Sequence, residues 1–382
     1  MDGNPLFSRL FNRCVLAGLL TCPASAALAD SASATKLLEE AIASGQTAGV
    51  VVAMSRGSEM IFQVALGDAQ SEPEPRPMTM DTLFDLASLT KPIATATSIM
   101  ILVDQDRVHL DEPAASYWPP FAIHGKDTIT VRDLLLHRSG LIADNSLSDY
   151  SDDQSANWTN IAQLRPTAPP GKTFRYSDVG FQVLGKLVEE VSEMPLDQFA
   201  KQNIFAPLNM TRTRYNPLQK VGGKQDAALA AATERRDGKW MVGEVHDPRA
   251  FRMGGVAGHA GLFSTAGDLM RYGQSFLKTS YPDSPAILRP ETIKAMTNPT
   301  EIPKGIRGLG WDMRTAYSSN RAESFSDAAF GHGGFTGTVL WIDPAQQIVF
   351  VFLGNRLHPD GEGSVNRLAA QVADEILEQL VD

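Results

Sequence analysis

Phe84-Asp85-Leu86-Ala87-Ser88-Leu89-Thr90-Lys91 places a hydroxyl three residues before an amine, and an apolar stretch from Ile93 through Val103 follows. At the start of a helix, residues i and i+3 share a face, so Ser88 Oγ and the Lys91 amine are expected side by side. A serine hydroxyl is a weak nucleophile unless a base lies next to it. A lysine in apolar surroundings has a lowered pKa and is a candidate for that base. The same spacing recurs at Ser33–Lys36 and at Ser275–Lys278. The first recurrence lies in a Ser/Ala-rich stretch. The second lies in an amphipathic helix whose buried side carries Leu269, Met270, Phe276 and Leu277. Only Ser88 is followed by a strongly apolar helix and by further polar motifs.

On either side of this segment the pattern changes. Leu37, Leu38, Ala41 and Ile42 mark a short amphipathic helix ending at Gly45. Val50–Met54 and Met60–Ala65 read as a hairpin turning near Arg56-Gly57. Near the other end, Thr338–Ile342 and Ile348–Leu353 read as a second hairpin across Asp343-Pro344, and Val365, Leu368, Val372, Ile376 and Leu380 mark a last amphipathic helix. Between them, residues 85–280 read as helices and loops. Thr130 and Asp133 make a capping box before Leu134–Leu136, Val179 to Val191 repeats at helical spacing, and 206–260 reads as loop-rich. The expected architecture is α/β (α+β): one antiparallel sheet built from both chain ends (about 30–84 and 281–382), flanked by helices, plus a mainly helical lobe (about 85–280). A cleft between the two is the expected place for a site.

The chain has 382 residues, enough for one large domain, and a net charge of −10. Residues 1–29 have the order of a signal peptide: Arg9 and Arg13, an apolar Cys14–Cys22, then Ala27-Leu28-Ala29. Its apolar part is too short to span a bilayer. Both cysteines fall inside it, so residues 30–382 carry neither disulfide nor thiol chemistry. Loss of residues 1–29 takes the charge to −11, with Arg9, Arg13 and Asp2 removed. That argues against nucleic acid or an anionic membrane as a partner. The expected location is periplasmic or secreted. Leu19-Leu20-Thr21-Cys22 is the lesser alternative, a lipoprotein processing point, which Thr21 disfavours.

Two further motifs matter. Pro169-Pro170-Gly171 precedes Phe174-Arg175-Tyr176-Ser177-Asp178. A tyrosine beside a lysine ammonium can have a depressed pKa and accept a proton as phenolate; the alternative is a packing tyrosine with Asp178 as helix N-cap. Phe330-Gly331-His332-Gly333-Gly334-Phe335-Thr336-Gly337-Thr338 opens a strand. Its glycines permit close backbone approach to a ligand, and His332 offers a cation or a donor, with an ordinary pKa near ~6.5. The alternative is a glycine-rich bend. His246, Asp247 and His259 are suitable metal-ligand types without a zinc spacing, and no metal is expected. Gly254–Gly261 lacks the lysine and hydroxyl of a phosphate loop, and no cofactor is expected.

Taken together, Ser88-x-x-Lys91, Tyr176-x-Asp178 and His332-Gly333-Gly334 resemble the three motifs of the penicillin-recognising serine hydrolases, in the branch of class C β-lactamases, D-Ala-D-Ala carboxypeptidases and esterases. Leu134–Leu141, Pro170-Gly171 before Tyr176 and Gly255–Thr265 look like that branch too, and Gly243–Pro248, Gly254–Phe263 and Asn355–Pro359 look like its penicillin-binding-protein-4B-type members. The resemblance spans essentially residues 30–382 as a single unit and implies the β-lactamase/transpeptidase-like fold. It implies Ser88 as the acylated nucleophile and Lys91 and Tyr176 as the proton shuttle. It also implies Ser88 and Phe335 N–H groups as oxyanion donors, and His332 facing a substrate carboxylate beside Asp178, Gly333 and Gly334. Two positions depart from the pattern. Asp178 stands where an asparagine is usual and, when ionised, only accepts hydrogen bonds. Gly333 stands where a hydroxyl is usual. The implied activity is a D-Ala-D-Ala carboxypeptidase-like enzyme on peptidoglycan-type peptides. The alternatives are a carboxylesterase or weak β-lactamase and, from another class, a non-catalytic penicillin- or peptidoglycan-binding receptor, which has no need of Ser88, Lys91 and Tyr176 together.

Overall fold

Val50, Val51, Val52, Ala53 and Met54 are all buried, so this strand is covered on both faces. The computed structural model describes residues 32–218, 229–277 and 286–379. The expected signal peptide with Cys14 and Cys22, together with Lys278 and Leu380, lies outside the described residues. The strand Gly49–Arg56 pairs antiparallel with Glu59–Gln70 on one side and with Ile348–Gly354 on the other, Val52 standing opposite both Val64 and Phe352. Beyond Ile348–Gly354 the sheet continues through Thr338–Asp343, Phe330–Gly334, Asp312–Arg314, Gly305–Arg307 and Thr300–Ile302; Arg76–Pro77 closes the other edge. The first and last parts of the chain thus share one nine-stranded antiparallel sheet.

Side chains alternate between its faces, as strand geometry requires. Val50, Val52, Met54, Phe350 and Phe352 pack with Leu38, Leu368, Val372 and Ile376 of the helices Ala32–Ala43 and Asn366–Glu378. Val51, Ala53, Val349, Val351 and Leu353 face the opposite core, with Leu269 and Met270 of the helix Ala266–Gln274. Each fully buried aliphatic or aromatic side chain in these layers contributes about 1.5–3 kcal/mol. The second core continues into the helices Thr97–Asp104 and Asp178–Ser192.

The region between the two sheet-forming parts is less purely helical than its sequence suggests. Phe84–Asp85, Leu262–Ser264 and Arg214–Tyr215 make a small three-stranded sheet. Ala232–Arg236 and Lys239–Val242 form a hairpin turned by Asp237 (φ 50°) and Gly238 (φ 77°). Aspartate-glycine is a favoured pair for such a turn. Strands of two to five residues hold too few alternations to stand out as a pattern.

Candidate active site

The small sheet presents Ser88. Leu86 N–H donates to Leu262 O at 2.9 Å, and Thr90 Oγ1 accepts from Leu262 N–H at 3.1 Å. Between these anchors the chain turns sharply. Ala87 takes φ +44°, a left-handed conformation that strains any residue with a Cβ. The buried Asp85 carboxylate holds it there, accepting from Ala87 N–H at 2.8 Å and from His246 N–H at 2.6 Å. Ser88 follows in a 3₁₀ turn, Ala87–Leu89, and Lys91 opens a wide helical turn, Lys91–Ala96. Widened turns of this kind recur at functional sites.

Lys91 is fully buried. Its Nζ donates to Ser88 Oγ at 2.9 Å and to His259 O at 2.9 Å, and lies 2.7 Å from Asp178 Oδ1 in an ion pair without hydrogen-bond angles. Burial pulls the Lys91 pKa down, but Asp178 and Tyr176 outweigh it and the net direction is up. The lowered value expected from apolar surroundings is therefore corrected: the carboxylate at position 178 holds the ammonium form.

Tyr176 and Asp178 arrive together at a helix start. Ser177, not Asp178, caps the helix, its Oγ accepting from Gly180 N–H at 3.0 Å. Ser177 N–H donates to His137 Nδ1 at 3.0 Å, and the His137 ring stacks 4.4 Å from Tyr176. Asp178 is thereby released from capping and turned to Lys91. The buried Tyr176 hydroxyl has no partner of hydrogen-bond geometry. Burial pushes its pKa up, and the nearby Lys91 and Ser88 offset this only in part. The depressed value expected for Tyr176 is likewise corrected.

The third segment is stitched to the first. Thr336 Oγ1 donates to Asp85 O at 2.7 Å and Thr338 Oγ1 to Leu86 O at 3.1 Å. A Cβ on Gly334 would fall 2.4 Å from Leu86 O, which is why glycine stands where the strand Phe330–Gly334 passes the Ser88 turn. Phe335 lies in the turn beyond it and lines the cavities on both sides of Ser88. His332 is buried, its Nδ1 bonded to Gly333 O at 2.8 Å. Burial, then Arg307 and Lys91, push its pKa well below the usual histidine value. The expectation of a histidine titrating near neutrality is corrected, because the ring sits in a buried cationic neighbourhood.

Two cavities meet at Ser88. One, of about 300 Å³, is lined by Tyr176, Arg307, Asn320, His332, Gly333 and Arg356. The other, of about 320 Å³, is lined by Asp144, Asp178, His246, Asp247, Arg249 and His259. Asp178, Asp247 and His259 each bring a ligand-type atom within 4.8 Å of the others. Both carboxylates already have partners: His259 Nε2 lies 2.9 Å from Asp247 Oδ1, which keeps that carboxylate's pKa low against burial, and Asp178 faces Lys91. A dication there would oppose the Lys91 ammonium. His246 stands apart, 3.3 Å from Glu234 and 5.6 Å from the Phe335 ring. Elsewhere, Ser33 Oγ accepts from the Gln379 amide, Lys36 pairs with Glu40, and Ser275 Oγ donates to Tyr272 O at 2.6 Å. No motif of the sequence singles out Arg307 or Asn320. His137 lies within the family-like stretch Leu134–Leu141, which is the signal that points to it.

Residues 34–375 match the family model described as Beta-lactamase. A protein of Escherichia coli (strain K12) named "Putative D-alanyl-D-alanine carboxypeptidase" is 34% identical over 337 residues, covering 79% of this chain and 77% of its own. A Bacillus subtilis (strain 168) protein named "N-acetylmuramyl-L-alanine amidase" is 34% identical over 355 residues, covering 85% of this chain and 80% of its own. The crystal structure of a penicillin-binding protein homologue from Caulobacter crescentus shares the fold, with a TM-score of 0.73 at 21% identity over 91% of this chain and 97% of that one.

Proposed function

This chain belongs to the beta-lactamase family and is a serine hydrolase; from that premise we propose that it acts through an acyl-enzyme on Ser88, as a D-Ala-D-Ala carboxypeptidase-like enzyme of peptidoglycan-type peptides. The carrying observation is Lys91 Nζ at 2.9 Å from Ser88 Oγ, with Tyr176 lining the cavity beside Ser88. Lys91 and Tyr176 share protons as one unit. After the pair loses one proton to solvent, Ser88 Oγ bonds to the acyl carbon and its proton passes to the pair. The C–N bond breaks and the pair returns that proton to the departing amine. Water then adds hydroxide to the acyl group and a proton to Ser88. The N–H groups of Ser88 and Phe335 would receive the oxyanion charge.

The reading takes residues 30–382 as one catalytic unit, exported after loss of residues 1–29. Among the described residues no helix is long and apolar enough to cross a membrane. The second reading is a carboxylesterase, favoured by the buried, uncharged His332. Intact-mass spectrometry after mixing with a penicillin, a D-Ala-D-Ala peptide and a short ester separates the readings. An adduct is expected on wild type and none on Ser88→Ala. Peptide mapping that puts the adduct on any other serine overturns the assignment.

A further inference from the structure

We propose that Asp85 is a positioning residue for acylation: it fixes the Ser88 turn and the Phe335 segment relative to each other, and so sets the aim of the two N–H groups expected to receive the oxyanion. The proposal rests on the acyl-enzyme reading of Ser88. Asp85 stands three residues before Ser88 and lines neither cavity there, so it touches no substrate. Its side chain is buried. Both carboxylate oxygens are spent on main-chain N–H groups from two different segments, Oδ1 on Ala87 at 2.8 Å and Oδ2 on His246 at 2.6 Å. Burial raises its pKa, and these two donors lower it. A buried carboxylate is costly unless such donors complete it. A carboxamide in its place accepts from one N–H only and turns its NH₂ against the other.

The two bonds do different work. The first holds Ala87 at φ +44°, and Ala87 leads directly into Ser88. Without it, a residue with a Cβ is driven back towards ordinary backbone angles, which re-aims the Ser88 N–H and Oγ together. The second bond ties down the loop before Pro248, whose His246 ring stacks 5.6 Å from the Phe335 ring. Asp85 also uses its main chain. Its carbonyl accepts from Thr336 Oγ1 at 2.7 Å, one residue past Phe335. One residue thus grips, through side chain and main chain, the segments that carry both expected oxyanion donors. Such donors act by being held in place before the charge develops.

The test separates positioning from stability. Single-turnover acylation of Ser88 by an activated short ester, followed by mass spectrometry over a range of ester concentrations, gives the acylation rate constant and the ester's binding constant separately. Asp85→Asn is expected to slow acylation by about 10–100-fold, the range for a small misplacement of reacting groups, with binding nearly unchanged. Phenylboronic acid, which forms a tetrahedral adduct on a serine oxygen, is expected to lose affinity alongside. The informative arm is Ala87→Gly, because glycine takes this φ without the penalty a Cβ imposes. In the Ala87→Gly background the cost of Asp85→Asn is expected to shrink by about five-fold or more. An equal cost in both backgrounds overturns the proposal, as does a boronate affinity that Asp85→Asn leaves untouched. Should Asp85→Asn fold only together with Ala87→Gly, the double variant is compared with Ala87→Gly alone, and an acylation loss above about ten-fold overturns it. If neither folds by circular dichroism, Asp85 serves folding and the proposal falls. Failure of the acyl-enzyme reading appears separately, as the absence of a Ser88 adduct in the wild type.

Discussion

The two cavities that meet at Ser88 are nearly equal in volume and opposite in charge. On one flank Arg307 waits with unpaired donors and Asn320 beside it. On the other, Asp144, Asp178 and Asp247 gather, and each of the last two already faces a base, Lys91 or His259. An unspent charge points outward, to a ligand; a paired charge points inward, to its neighbour's proton. Under the proposed mechanism, the acidic flank is the one that sets when Lys91 releases a proton. Both flanks share Ser88, Tyr176 and Phe335, so chemistry and recognition can be separated by mutation.

The hardest blow to the comparison falls at its shared centre. Lys91→Ala and Tyr176→Phe should each slow acylation by about 10²–10⁴, the usual cost of losing a general base. Single-turnover acylation of Ser88, followed by mass spectrometry, measures it. Lys91→Ala also strips Asp178 of its partner, so its fold is checked by circular dichroism. Near-wild-type acylation by Tyr176→Phe would remove the phenol from the proton path.

Asp178→Asn breaks the acidic flank alone. A carboxylate 2.7 Å from the Lys91 amine stabilises the protonated form. Its removal lowers the Lys91 pKa, so the base form becomes available at lower pH. The acid limb of kcat/KM should move down by about 1–3 pH units, the range for an opposite charge at this separation. Unchanged pH dependence would mean that Asp178 only packs.

The same contrast explains what could be read in advance. Ser88 and Lys91 are three residues apart, and local helical geometry is enough to join them. The two hairpins and the terminal helices were legible because their apolar periods run for five residues or more, in Val50–Met54 and Ile348–Leu353. Arg307 was not legible. It sits in a three-residue strand, and its meaning depends on Phe174 covering it and on Thr315 and Ser318 occupying Asp312. Asp178 was legible as a residue but not in its effect. Only the cap at Ser177 turns it towards Lys91, and only then does the Lys91 pKa rise instead of falling. Asp237-Gly238 shows the other kind of miss: a local turn signal was present, between strands too short to frame it.

The smallest effect is a flat line, and it decides which group carries the charge on the cationic flank. Two substrates with the same acyl group are compared, one with a carboxylate on the leaving group and one with its neutral ester. Both share the limb set by Lys91 and Tyr176, so it cancels in the ratio of their kcat/KM values. What remains is the charge of the flank. His332 faces Arg307, Lys91, the Tyr176 ring and the Gly333 carbonyl, and burial with the two cations holds it neutral. Arg307 does not titrate in the working range, even with burial lowering its pKa. The ratio should therefore stay constant from about pH 6 to about pH 9, a range that brackets an ordinary histidine. A ratio that falls through about pH 6.5 would return the charge to His332 and leave Arg307 a structural cation.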